Sequence, residues 1–232
     1  MADLLLQLSS NQRARRVVST LGLPLPMPER LERGRGPWED RPLHDRVVVV
    51  DAGPGSELVG ALAPALVQAG ADPWVVGGPE AVAAFRAAGE GWGRLPHDAT
   101  DDQPERPWAL ILDATGLRTV DDLRRLYAFF HPRIRGIGRS GRLIVLSRPA
   151  DADDADVTAG AVATALEGFV RSAGREVGRR GATANLIQVD RGAEDRLEPL
   201  LRFVASPRSA YVSGQVLRVS NRVGAAAVRG AL

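Results

Sequence analysis

Three short stretches carry groups that could do chemistry, and each closes an apolar run. Residues 51–56 read DAGPGS; Gly53 and Gly55 are spaced for a tight turn or for a loop whose amides approach a phosphate. Asp113 leads Ala114, Thr115 and Gly116, and its carboxylate suits either a helix cap or a ligand contact. Ser147 ends a third run and offers a hydroxyl. A tyrosine could complete an acid–base set, but a phenol with a pKa of about 10 needs a neighbouring cation to work at neutral pH. The chain has no lysine. All 30 of its basic side chains are arginine, which stays protonated and relays protons poorly. Cysteine is absent, so no thiol nucleophile, thiolate metal site or disulfide is available. His44, His97 and His131 lack metal-ligand spacing, and no metal is expected.

The elements that must position these groups alternate. Val47–Val50 is a β-branched run, as expected of a buried parallel strand, and a helical pattern through Leu58, Leu62, Leu66 and Ala69 follows it. Further strands are predicted at 73–76, 108–112, 142–146, 183–189 and 215–220. Helices are predicted at 79–88, 120–130, 157–177 and 193–205. Residues 89–107 read as loop. The pattern implies an α/β fold: a doubly wound, mostly parallel sheet with helices on both faces, Rossmann-like. Right-handed crossovers then bring the loops after residues 50, 112 and 146 to one sheet edge. Before this body (46–220) lie an amphipathic helix and a proline-rich arm (1–45); after it comes a Gly/Ala-rich tail (221–232).

Hydrophobic residues at 44% suit a globular core, and no run is long enough to span a membrane. A net charge of +2, with arginines scattered among acids, argues against nucleic acid as a partner. The lack of disulfides agrees with a cytoplasmic setting.

Three segments resemble the short-chain dehydrogenases/reductases. ALEGFVRSAGREVGRRGATANLI (165–187) is similar to their long helix and following strand. SAYVSGQVLRV (209–219) is similar to their closing loop and last strand. GRLIVLS (141–147) is similar to the strand that delivers the catalytic serine. A narrower resemblance, resting on the N-terminal arm, LILDATG (110–116) and the altered long helix, is to the degenerate, flavodoxin-like first domain of long bacterial 3-oxoacyl-acyl-carrier-protein reductases.

The resemblance implies a serine that polarises a ketone, a tyrosine that moves the proton, and a lysine four residues on. Ser147 falls at or near the serine position, while the tyrosine and lysine positions fall on Ala159 and Ala163. The catalytic set is therefore expected to be absent, with Ser147 a remnant. The cofactor loop is weakened: Pro54 removes a donor, and Asp51 and Glu57 put carboxylates near the diphosphate position. Gly53, Gly55 and Asp113 remain as a weak cofactor-binding remnant. Gly77 and Gly78 replace the residue that would grip the ribose. No cofactor is expected, or NADPH if any. The function expected is a non-catalytic, reductase-like domain serving oligomerisation or support of a 3-oxoacyl-acyl-carrier-protein reductase. The alternatives are an NADPH-dependent reductase of that kind or an acyl or small-ligand binding module. Partners expected are a second copy or a reductase domain, through residues 120–130 and 157–177, with an acyl carrier protein as a further candidate. The arginines from Arg133 to Arg142 are expected to line a solvated loop, and Tyr127 to pack among Leu126, Phe129 and Phe130.

Overall fold

The computed structural model describes residues 32–100, 103–150 and 156–221. The predicted N-terminal helix, most of the acidic 151–156 turn and the tail lie outside these residues. The strands are β1 (Val47–Asp51), β2 (Asp72–Val76), β3 (His97–Asp98), β4 (Ala109–Asp113), β5 (Arg142–Ser147), β6 (Thr183–Val189) and β7 (Val216–Val219). The α-helices are α1 (Val59–Gln68), α2 (Pro79–Gly89), α3 (Arg124–Phe130), α4 (Val157–Val177) and α5 (Leu197–Ala205).

All seven strands pair in parallel, in the order β3-β2-β1-β4-β5-β6-β7. β4 and β5 are buried along their whole length, as their apolar runs require at the centre of a covered sheet. One face carries α1, α2 and α5, with Leu62, Leu66, Phe85 and Leu201 in its core. The other carries α3 and α4, with Phe129, Phe130, Val162, Leu166 and Val170. Asp156 caps α4 by accepting from Thr158 N (2.9 Å) and Ala159 N (3.2 Å), which sets where the long helix begins.

This topology corrects the narrower resemblance. A flavodoxin-like sheet runs 2-1-3-4-5 and stops at its fifth strand. Here β1 is third from the edge, and β6 and β7 extend the sheet to seven strands. The fold is that of a whole Rossmann-like sheet with both faces covered, not a truncated flavodoxin-like fragment.

Three smaller expectations also change. The 89–107 segment contains β3, which exists through its pairing with Trp74 and Val75. Tyr127 does not pack into the core; its ring is exposed and stacks on His131 at 4.4 Å. Arg133 and Arg142, expected in a solvated loop, are both buried. Arg133 donates to Phe129 O at 3.0 Å, so its position one turn beyond a helical carbonyl draws it inward.

Candidate functional site

Because the strands are parallel, the loops after β1, β4, β5 and β6 meet at the carboxyl edge of the sheet, where open α/β sheets take their ligands. Asp113 is the hub of this edge. It is fully buried and accepts from Leu58 N (2.9 Å), Thr115 N (3.0 Å) and Thr115 Oγ1 (2.6 Å). The Thr115 hydroxyl in turn accepts from Glu57 N at 2.7 Å, and Ser56 Oγ donates to Asp113 O at 3.3 Å. Burial pushes the Asp113 carboxyl up from its ordinary range, against the pull of the Thr115 and Leu58 hydrogen bonds and of the Arg125 charge. Asp113 thus ties the β1 loop to the end of β4.

Ser147, at the end of β5, is buried, and its hydroxyl has no hydrogen-bond partner among the described residues. It lines a cavity of about 60 Å³ together with Thr115, Arg118, Arg148, Ala159 and Ala163. The structure therefore brings Ser147, Ala159 and Ala163 to one place, at the end of β5 and the first turns of α4. A buried hydroxyl without a partner is costly, and one on a residue that lines a cavity has an acceptor within reach only from that side. Ala159 and Ala163 contribute only methyl groups there.

The β1 loop does not fit a dinucleotide diphosphate as it stands. That fit needs donor amides at the start of α1 and open space above the glycines. The Glu57 and Leu58 amides are already bound to Thr115 and Asp113. The Arg125 side chain lies over Gly53, where a Cβ would stand 2.3 Å from its Nη2. Arg125 is held there by Asp51, through Nε to Oδ2 at 3.1 Å and a second contact from Nη2 to Oδ1. Gly55, at φ +79°, packs on Gly116: a Cβ on Gly116 would meet the Gly55 carbonyl at 2.7 Å. Gly77, at φ +133°, backs the same loop, with a Cβ position 2.6 Å from the Ala52 carbonyl. Gly53, Gly55 and Asp113 come to the same edge of the sheet, with Gly53 under Arg125 and Gly55 against Gly116.

One cluster was not visible beforehand. Glu57 accepts from Arg118 Nη2 (3.0 Å), Arg148 Nε (2.8 Å) and Arg191 (2.9 and 3.3 Å). Arg148 also pairs with Glu194 at 2.7 Å. Burial works to raise the Glu57 carboxyl, but the hydrogen bonds and charges of Arg148 and Arg191 outweigh it and hold it below the usual range. The four members come from four separate loops, so no local motif marked them. The histidines take ordinary places: His44 pairs with Asp45, and His97 with Asp72 while stacked on Trp74. Among the described residues no His, Asp or Glu cluster is arranged to hold a metal. Among them, too, no helix is long and apolar enough to cross a membrane.

No model of a protein family matches the chain. Over 104 residues it is 33% identical to NovK of Streptomyces niveus, described as a short-chain dehydrogenase/reductase family member. That stretch covers 36% of this chain and 43% of NovK, so it spans less than half of that relative. Among solved structures, the promiscuous reductase LugOII, which catalyses keto-reduction at C1 during lugdunomycin biosynthesis, is similar at a TM-score of 0.63 and 18% identity, over 78% of this chain and 97% of its own. A short-chain dehydrogenase/reductase from Serratia marcescens is similar at 0.62 and 17%, over 77% and 97%. A dehydrogenase/reductase from Sinorhizobium meliloti is similar at 0.62 and 19%, over 78% and 95%. The superpositions run through nearly the full length of those chains, which a flavodoxin-like fragment would not allow, and so the chain carries the Rossmann-like fold of the short-chain dehydrogenases/reductases.

Proposed function

We propose that this chain binds a small carbonyl-bearing or acyl ligand in the cleft above Ser147 and does not itself reduce it through a tyrosine–lysine relay. The observation that carries this reading is the buried Ser147 hydroxyl, unpartnered among the described residues, on a residue that lines a cavity together with the relay positions Ala159 and Ala163. The hydroxyl supplies a donor to a carbonyl oxygen; the alanines supply space and no proton. A purely supporting role gains nothing from the comparisons, since the relatives reported are described as reductases or dehydrogenases.

That likeness favours a second reading: NADPH-dependent reduction of 3-oxoacyl groups on an acyl carrier protein. It requires the β1 loop to open and a proton donor other than residues 159 and 163. Titration with NADPH and NADH, with acetoacetyl turnover measured alongside, separates the two. The first reading expects a thermal shift with acetoacetyl ligand, lost in Ser147→Ala, and no oxidation of NADPH. Turnover at ordinary enzyme concentrations would overturn it in favour of the second.

The domain limits 1–45, 46–220 and 221–232, a cytoplasmic setting and pairing through residues 120–130 and 157–177 belong to the same proposal. Val120, Tyr127 and Val157 are exposed apolar or aromatic side chains on those segments. Phe169 is half-buried against Phe130 at 5.0 Å, so Val157→Arg tests pairing more cleanly than a change at Phe169. A dimer mass in solution that falls to a monomer in Val157→Arg is the expected result. The burial of Arg133 and Arg142 removes two of the arginines that would have met an acidic carrier.

A further inference from the structure

The Glu57 cluster goes beyond a carbonyl site. Three guanidiniums from the loops after β4, β5 and β6 converge on one carboxylate from the loop after β1, with four N–H contacts shared between its two oxygens. Arg148 is the anchor: its side chain is nine-tenths buried and is also fixed by Glu194 and by the carbonyls of Val189 and Asp190. Arg118 and Arg191 make no other side-chain ion pair among the described residues. The network holds four loops together, but its three guanidiniums face only two carboxylates, Glu57 and Glu194, which leaves these five groups with a net positive charge. Gathered at the ligand-facing edge of a parallel sheet, they form a receiver for an anion.

We propose that Glu57 is a built-in occupant of a phosphoryl-binding site made by Arg118, Arg148 and Arg191, and that a ligand's phosphoryl group enters by displacing its carboxylate. A phosphoryl group brings a third oxygen and up to about two negative charges, so each arginine gains an oxygen of its own. Arg118 and Arg148 also line the Ser147 cavity, so the two sites adjoin. Glu57 therefore occupies the arginines until a competing anion arrives.

The test is isothermal titration of the full chain with inorganic pyrophosphate, with malonate as the carboxylate arm. Glu57→Gln keeps the side-chain shape and removes the charge. It is expected to bind pyrophosphate at least about tenfold more tightly than the parent chain. Adding Arg148→Ala is expected to abolish that gain. A folded Glu57→Gln protein with no gain overturns the proposal, and equal gains for malonate and pyrophosphate overturn the phosphoryl assignment. Should Glu57→Gln not fold, the parent chain decides: its arginine Nε–H resonances are expected to shift saturably with pyrophosphate. Unchanged resonances sink the idea. The probe carries no carbonyl, so failure here leaves the Ser147 reading untouched, and failure of that reading leaves this one standing.

Discussion

β5 begins with Arg142 and ends with Ser147, both buried, and the two ends treat a buried polar group in opposite ways. At the amino edge the Arg142 guanidinium donates to Ser206 O (3.2 and 3.0 Å), Gly141 O (3.2 Å) and Ser140 O, with the Trp108 ring 5.2 Å away. Burial pushes it down to about 10, which still leaves it charged at neutral pH. Trp108 adds a bond from Nε1 to Ala205 O at 2.8 Å, so this edge is clamped to the end of α5. At the carboxyl edge the Ser147 hydroxyl has no partner among the described residues, and Ser147 lines a cavity. Along β5 the amino end is tied down, while the carboxyl end keeps an unpartnered hydroxyl, as does Thr183 at the amino end of β6.

The contrast can be broken in several places. The largest effect is expected from Arg142→Ala, which strips partners from buried carbonyls and opens a cavity, at about 3 kcal/mol. A urea midpoint that hardly moves would show that this edge is not a clamp. Asp113→Ala removes one hydrogen bond from the β1 loop, at Leu58 N, and two from Thr115 in the loop after β4, and is expected to cost about 2 kcal/mol by the same measurement. Gly116→Ala drives a methyl into the Gly55 backbone, and a loss of about 1–2 kcal/mol is expected in thermal unfolding.

The acid range sharpens the comparison within the carboxyl edge, because its two carboxylates act with opposite sign. The Glu57 carboxyl is depressed when folded, so its contribution is present above its ordinary value of 4.5 and is lost as pH falls through the folded value. Glu57→Gln should therefore lose less stability on acidification than the parent chain. The Asp113 carboxyl is raised, so its contribution is complete below 3.8 and disappears as pH climbs through the folded value. Unfolding midpoints across pH 3–6 check both slopes. The smallest effect is expected from Ser147→Ala: a change within about 0.5 kcal/mol, since no hydrogen bond is lost. A large loss there would mean that the hydroxyl is structural after all, and the contrast along β5 would fail.

The strands were legible because their chemistry is local. Val47–Val50, Leu110–Leu112 and Leu143–Leu146 are apolar on both sides, and only a covered parallel sheet satisfies such runs. The two-residue β3 was not legible, since its evidence is a partner strand and not a pattern of its own. The helix predicted from 120 also begins later, at Arg124, after a 3₁₀ turn over Asp121–Leu123. At the site, Gly53, Gly55, Asp113 and Ser147 stood out by type and position. Asp113 meets Thr115 locally, two residues on, but its bond from Leu58 exists only when β1 and β4 pair.

By itself the sequence determined the layered α/β class, the order of its elements and the lack of any lysine to serve a tyrosine. Those follow from residue types and from spacings of a few positions. Only the tertiary structure decided that the sheet has seven strands, that Arg142 is buried, and that Arg118, Arg148 and Arg191 close on Glu57. The reason is distance along the chain: residues 57, 118, 148 and 191 share no local pattern, and parallel pairing alone carries their loops to one edge.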